Sequence, residues 1–124
     1  MPSVTEPTEA WPEEIRLRPG GRELVVTFDN GEAFTFTAEF LRVESPSAEV
    51  KGHGPGQEIT VPGKRNVSIT QIEPVGNYAV RLIFSDGHAT GLYSWTYLHT
   101  IGRQQDTLWQ QYLRKLEEKG LSRD

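Results

Sequence analysis

A run of alternating apolar residues, broken by a tight-turn signal, constrains the fold of this chain more than any other feature of its sequence. Residues 24–28 read LVVTF, Phe34 and Phe36 then alternate with threonines, and Asp-Asn-Gly stands between the two runs at positions 29–31. Asn-Gly favours the positive φ angles of two-residue hairpin turns. The preceding residues 15–17 also alternate apolar and charged side chains. Together these features predict an antiparallel meander in the first third of the chain.

The same pattern returns in the second half of the chain. Gly76-Asn77 is a second hairpin signal, and before it Val67 and Ile69 share one face of a predicted strand. Residues 78–84 alternate again, but Ile83 places an apolar side chain on the second face. A strand with apolar residues on both faces is predicted to be central in its sheet and partly covered on both sides.

Helical spacing predicts the remaining elements. Residues 94–102 predict a short helix and residues 106–120 a longer one. The apolar stripe of the longer helix comprises Leu108, Trp109, Tyr112, Leu113 and Leu116. Residues 38–50 predict short helical turns, with Ser45 as a cap and Pro46 at the first helical position. The predicted fold class is α+β, a mainly antiparallel β-sheet of hairpins with short helices and a C-terminal amphipathic helix.

Length and composition indicate one domain without a membrane segment. The 124 residues, 35% of them hydrophobic, suffice for a single core. Residues 1–10 are predicted to be a flexible N-terminal tail, residues 11–120 one domain that includes the C-terminal helix, and residues 121–124 a short tail. No apolar run approaches the roughly 20 residues of a membrane span, and the acidic N-terminus does not resemble a secretory leader. A cytoplasmic location is therefore expected.

Composition also excludes or disfavours several functions. Cysteine is absent, which excludes disulfides, thiolate nucleophiles and cysteine-ligated clusters. The formal net charge of −4 and the scattered basic residues disfavour nucleic-acid binding. No serine stands in a Gly-x-Ser-x-Gly motif, and the three histidines occupy different local contexts. The chain is therefore predicted not to be an enzyme, with no catalytic residue and no cofactor.

The segment Asp86-Gly87-His88 supports two interpretations. Asp-Gly is itself a turn signal, because an aspartate side chain can bond to the backbone two residues further on. In an extended strand, however, Asp86 and His88 would point the same way and could both reach one ion or ligand. His53 is the further residue that could join such a site, and the spacing alone leaves both interpretations open.

Three stretches together resemble a known family. Residues 72–98, IEPVGNYAVRLIFSDGHATGLYSWTYL, residues 41–54, LRVESPSAEVKGHG, and residues 11–17, WPEEIRL, are similar to the small N-terminal domain of gamma-butyrobetaine hydroxylases. That domain also occurs as a stand-alone bacterial protein, long described only as a domain of unknown function. The resemblance runs from Trp11 to about Gly102, and it implies a bacterial member of this family without the hydroxylases' separate oxygenase domain.

The resemblance implies a zinc site in the family, built from three cysteines and one histidine. Its cysteine positions fall on Ser45, Ser47 and Val50 of this chain, and its histidine falls on His88. Because the three thiolates are replaced, no metal is expected here. Hydrogen bonding by the two serines and His88 is expected to fill the same corner.

The function expected from these observations is a non-catalytic protein-interaction or adaptor module. Similar domains are fused to P-loop proteins that carry iron–sulfur clusters, so the resemblance implies an accessory role in iron–sulfur or metallocofactor assembly. The expected partner is an unidentified protein, with no nucleic acid and no membrane. Its predicted contact residues are Lys64, Arg65, Asp86, Gly87 and His88, which lie on loops held by the sheet. The alternative is a small metal- or ligand-binding domain that uses His88 and Asp86.

Overall fold

The predicted meander is the first of two three-stranded antiparallel sheets in the computed structural model, which describes residues 11–52 and 58–124. Its strands are β1 (Pro12–Leu17), β2 (Glu23–Phe28) and β3 (Ala33–Thr37), paired in that order. Every second residue of β2 is buried, as the alternation requires. The flexible tail predicted for residues 1–10 lies outside the described residues.

The second sheet confirms the central strand that the sequence predicts. It contains β4 (Ile69–Val75), β5 (Ala79–Phe84) and β6 (Leu92–Ser94), with β5 in the middle. Ile83 is half-buried, while its neighbours Leu82 and Phe84 are fully buried on the core side.

Four helices within the described ranges complete the α+β fold. They are α1 (Ala38–Val43), α2 (Ala48–Lys51), α3 (Trp95–Arg103) and α4 (Gln105–Glu118). The prediction that Ser45 caps the second helical turn is wrong, because α2 begins two residues later and Ser47 is its cap. The Ser47 hydroxyl accepts a hydrogen bond from the Glu49 amide at 3.0 Å. Among the described residues, no helix is long and apolar enough to span a membrane.

One core unites the two sheets with α1 and α3. Side chains from both sheets and both helices form a single buried cluster that includes Leu24, Phe36, Leu41, Leu82, Tyr93 and Leu98. α4 packs against it through Leu108 and Trp109, and it forms a smaller second cluster with Val43. The apolar stripe predicted for α4 therefore faces its own domain rather than remaining free.

The C-terminal residues differ from the tail that the sequence predicts. The Gly63 amide donates to the Ser122 carbonyl at 2.9 Å, and the Arg65 amide donates to the Arg123 carbonyl at 3.0 Å. Residues 121–124 therefore lie along the surface of the domain. Local sequence could not reveal this contact, because its partners are almost 60 positions away in the chain.

The turn between β1 and β2 contacts β4 of the second sheet directly at Gly21. The Ile69 amide donates to the Gly21 carbonyl at 2.7 Å, and a Cβ atom on Gly21 would collide with the Ile69 carbonyl oxygen. Gly21 also has a φ of +70°, which side-chain-bearing residues rarely adopt. Both the close approach and the backbone conformation therefore require glycine at this position.

Replacing Gly21→Ala should destabilise the protein more than replacing Gly31→Ala. Gly31 has a φ of +91° but no atom near its missing Cβ, so its substitution should cost only the conformational penalty of about 1–2 kcal/mol. The collision at Gly21 should add about 2 kcal/mol. Urea unfolding of both variants measures the difference, and equal free energies of unfolding would contradict the close approach of the sheets.

Candidate functional site

A buried hydrogen bond between Ser45 and His88 forms the centre of the candidate site. Ser45 follows α1, and His88 lies in the turn between β5 and β6. The Ser45 Oγ atom lies 2.9 Å from Nε2 of His88, and Ser45 is fully buried. The Ser47 amide also donates to the Ser45 hydroxyl, at 3.3 Å. The fold therefore brings together two positions 43 residues apart in sequence.

The other nitrogen of His88 faces a carboxylate. Nδ1 lies 3.1 Å from a carboxylate oxygen of Glu49, whose side chain is 63% exposed, whereas that of His88 is only 3% exposed. Because a carboxylate can only accept, Nδ1 carries the proton in neutral His88, and Nε2 then accepts from the Ser45 hydroxyl. The three side chains form one directional hydrogen-bond chain.

The order serine, histidine, carboxylate resembles that of a catalytic triad, but the burial of Ser45 argues against this role. A nucleophilic serine must reach the reacting carbonyl of a substrate. The Ser45 hydroxyl has no exposed surface, and Gly91 packs so closely on it that even a Cβ there would collide with Oγ. The arrangement is therefore suited to holding the loops together rather than to nucleophilic attack.

Burial sets the protonation state of His88. Loss of hydration, followed by the positive charge of Arg42, lowers the pKa of His88 below 6.5, although Glu49 acts in the opposite direction. The neutral ring is also the form that the Ser45 hydroxyl can donate to. Protonation would convert Nε2 into a donor and reverse this hydrogen bond, which leaves the Ser45 hydroxyl proton without its acceptor.

Asp86 forms the outer part of the site. One of its carboxylate oxygens accepts from the His88 amide at 3.0 Å, as the turn interpretation predicts. The other oxygen lies 2.8 Å from Arg42 and 2.6 Å from Lys64. Burial opposes ionisation of Asp86, but the Lys64 ammonium, the His88 amide and Arg42 together lower its pKa to about 2.

The predicted contact residues share one side of the domain. Lys64 meets Asp86 through the ion pair described above, and Arg65 holds the Asp124 carboxylate, with Nε to Oδ1 at 2.5 Å. A concavity of about 390 Å³ is bordered by these side chains. We call this surface the contact face; it comprises residues 63–66, 85–88 and 123–124. Of the five predicted residues, His88 alone is buried, so it supports the face from below.

Sequence reasoning missed three residues that organise this site. Arg42 belongs to α1 yet pairs with Asp86, and one of its guanidinium nitrogens, Nη1, is buried without a hydrogen-bond partner among the described residues. Glu49 orients the His88 ring, and Gly91 allows the close packing on Ser45. A charge or a glycine in the sequence carries no signal of partners that are about 40 positions away.

The sequence of this domain matches a known family. Residues 15–99 match the family described as gamma-butyrobetaine hydroxylase-like, N-terminal, and the chain belongs to that family. This finding confirms the resemblance drawn from the three sequence stretches.

Solved structures agree with the assignment. Two NMR solution structures match with TM-scores of 0.80, at 42% and 46% identity; they cover 93% and 97% of this chain and 90% of each matched chain. A crystal structure from Acidithiobacillus ferrooxidans ATCC 23270, described as a DUF971 family protein with unknown function, matches with a TM-score of 0.63 and 39% identity. It covers 79% of this chain and 98% of its own. No curated protein matches the chain.

The zinc site that the resemblance implies does not fit the residues present. Ser45 and Ser47 offer neutral hydroxyls that are already hydrogen-bonded, and Val50 offers no donor atom. Only the imidazole of His88 remains of a four-ligand set, and structural zinc requires four ligands. Ser45 and His88, two of the positions that the resemblance assigns to the zinc site, lie within hydrogen-bonding distance of each other.

The alternative site built from His88 and Asp86 also lacks assembled ligands in the described part of the chain. Both ring nitrogens of His88 already have partners, and two cations hold the Asp86 carboxylate. Within residues 11–52 and 58–124, no three histidine or acidic side chains are grouped so that they could hold a metal ion. His53 lies outside the described residues.

The free energy of unfolding should fall as the pH drops below about 6.5, because the pKa of His88 is lower in the folded than in the unfolded protein. The stabilisation is fully present above the unfolded-state pKa and is lost towards the folded-state pKa, with a slope of up to about 1.4 kcal/mol per pH unit. Urea unfolding of the protein and of His88→Gln across pH 5 to 8 measures it. Parallel pH profiles for the two proteins would contradict the assignment.

Restoring the family's thiolates should create a metal site. The triple variant Ser45→Cys, Ser47→Cys and Val50→Cys should bind about one equivalent of Zn²⁺ together with His88, whereas the unaltered chain should bind none stoichiometrically. Metal analysis after chelation and reloading provides the measurement, and adding His88→Ala to the triple variant is the matched control. Stoichiometric zinc in the reloaded, unaltered protein would show that other donors complete the site.

Proposed function

We propose that this domain is a non-catalytic protein-interaction module that binds its partner through the contact face. The observation that carries the proposal is the ion pair between Lys64 and Asp86, which joins two loops at 2.6 Å directly above the buried His88. Loops positioned by a rigid scaffold commonly carry binding functions. A surface that is ordered before binding also loses less conformational entropy when a partner docks.

The division between buried and exposed groups supports an interaction role over catalysis. Ser45 and His88, whose chemistry could serve catalysis, have their polar atoms satisfied inside the domain. Arg65 and Asp124 form the exposed polar rim, with 44% and 67% of their side-chain surface accessible. Exposed ion pairs of this kind contribute little stability, so they can exchange for contacts with another protein at small cost.

The proposed partner is a protein of iron–sulfur or metallocofactor assembly, and the proposed location is the cytoplasm. Both points rest on the expectations drawn from the sequence and its family resemblance rather than on the geometry of the site. The contact face itself sets a further requirement. The partner must carry groups that can pair with both Lys64 and Asp86, or with the cations beside them.

Photo-crosslinking should locate the partner on the contact face. With p-benzoylphenylalanine at Asn66, inside the face, we expect a defined adduct from native lysate that the same group at Thr35 does not give. Thr35 is exposed on β3 and serves as the matched control. Adding Lys64→Gln should reduce the yield about threefold or more, since it removes a charge from the interface. A purified bacterial P-loop iron–sulfur carrier tests the partner class directly.

Two results would overturn this proposal. Identical adducts from both positions would mean that the face is not selective, and the absence of any reproducible adduct at Asn66 would mean that it is not a docking site. An adduct from lysate without one from the P-loop carrier would retain the contact face but reject the proposed partner class.

A further inference from the structure

β1 has an open edge in the part of the chain that the structure describes. It pairs with β2 on one side, and no other described element contacts it extensively. The other sheet edges are less suited to pairing: α3 packs on β3 at Phe34, Pro74 lies within β4, and β6 has only three residues. An open strand edge can accept a strand from another chain, because its outer main-chain groups lack partners.

The pairing with β2 determines which main-chain groups of β1 point outwards. The Arg18 amide donates to the Glu23 carbonyl at 3.0 Å, and hydrogen-bonded pairs alternate along an antiparallel ladder. Arg16, two residues earlier, therefore also bonds to β2. The amide and carbonyl groups of Ile15 and Leu17 consequently point towards the open edge.

The outer face of β1 carries two opposite charges. Glu14 and Arg16 are exposed, and they lie on the same face because they are two residues apart in a strand. Neither forms an ion pair with another residue in the described ranges. Ile15 and Leu17 lie on the opposite face, half-buried at the margin of the core. The edge is therefore charged on one face and apolar on the other.

This pattern of charges is complementary to itself in one register. When the Ile15 residues of two antiparallel copies stand opposite each other, each Ile15 amide meets the Ile15 carbonyl of the other copy. Each Glu14 then stands opposite Arg16 of the other copy. A shift by two residues would place either the two Glu14 side chains or the two Arg16 side chains opposite each other, and such like-charge pairs are destabilising. A shift by one residue would exchange the two faces of the strand.

From these features we infer that two copies of this chain associate through their β1 edges, with a two-fold axis at Ile15. The three strands of each first sheet then form one continuous antiparallel sheet. The irregular pairing between Pro12 and Glu14 restricts the regular contact to residues 14–17, so the interface is small and the association is weak and reversible. These residues lie outside the contact face, and the inference does not depend on the proposed function.

Sedimentation velocity of the full chain tests the inference between about 10 µM and about 1 mM, where small interfaces dissociate. The mean mass should rise with concentration. Glu14→Lys and Arg16→Glu should each weaken association about tenfold, because each places two like-charge pairs across the axis. Glu118→Lys and Arg114→Glu make the same charge changes at exposed positions of α4. These matched controls should leave association unchanged, and circular dichroism verifies that every variant is folded.

A mixture of the two β1 variants provides the sharpest comparison. When Glu14→Lys and Arg16→Glu proteins pair with each other, both contacts across the axis again join opposite charges. The mixture should therefore associate about tenfold more tightly than either variant alone. NMR locates the contact, because the amide signals of Ile15 and Leu17 should shift as the concentration of the unaltered protein rises.

Several results would overturn the inference. They are a mass that stays monomeric over the whole concentration range, equal effects of Arg16→Glu and Arg114→Glu, and a mixture that associates no better than the single variants. Slow hydrogen exchange of the Ile15 amide that does not depend on concentration would mean that the edge is covered within one chain. That result would reject a second copy as the occupant of the edge.

Discussion

The buried hydrogen bond between Ser45 and His88 is the interaction on which the rest of the candidate site depends. It ties the segment after α1 to the turn between β5 and β6. The main chain of His88 then holds one oxygen of Asp86, and the other oxygen holds Lys64. A buried polar pair is costly when one partner is lost, because the other remains desolvated and unsatisfied. The positions of the Asp86 and Lys64 charges therefore depend on the buried hydrogen bond between Ser45 and His88.

This arrangement connects, through hydrogen bonds, two of the positions at which the resemblance implies metal ligands. Where the resemblance implies thiolates and zinc, this chain has a hydroxyl, an imidazole and a carboxylate that satisfy one another. Hydrogen bonds can fix the same loops, although they do so with less energy than a structural metal ion. They also make the corner sensitive to pH, because only neutral His88 can accept from Ser45.

The buried and the exposed ion pairs near the C-terminus differ in strength. The Glu39 carboxylate is buried and pairs with Arg123 through two bonds, at 2.8 and 2.7 Å. Arg123 also lies over the ring of Trp109, with its guanidinium carbon 5.2 Å from the ring centre. In contrast, the pair between Arg65 and Asp124 is largely exposed. Residues 121–124 are therefore anchored firmly at Arg123 and only weakly at Asp124.

Local sequence pattern by itself determined the meander around Asn30-Gly31, the central position of β5 and the apolar face of α4. The alternation of apolar residues and the conformational preferences of turn residues are local properties of the sequence. These features can therefore be predicted without a structure. The resemblance further indicated that Ser45 and His88 share a corner. Only the tertiary structure decided that Arg42 and Glu49 complete that corner, and that residues 121–124 bond to the loop at residues 63–65. These contacts join residues far apart in the chain, and their energy depends on burial and distance, which only the folded chain fixes.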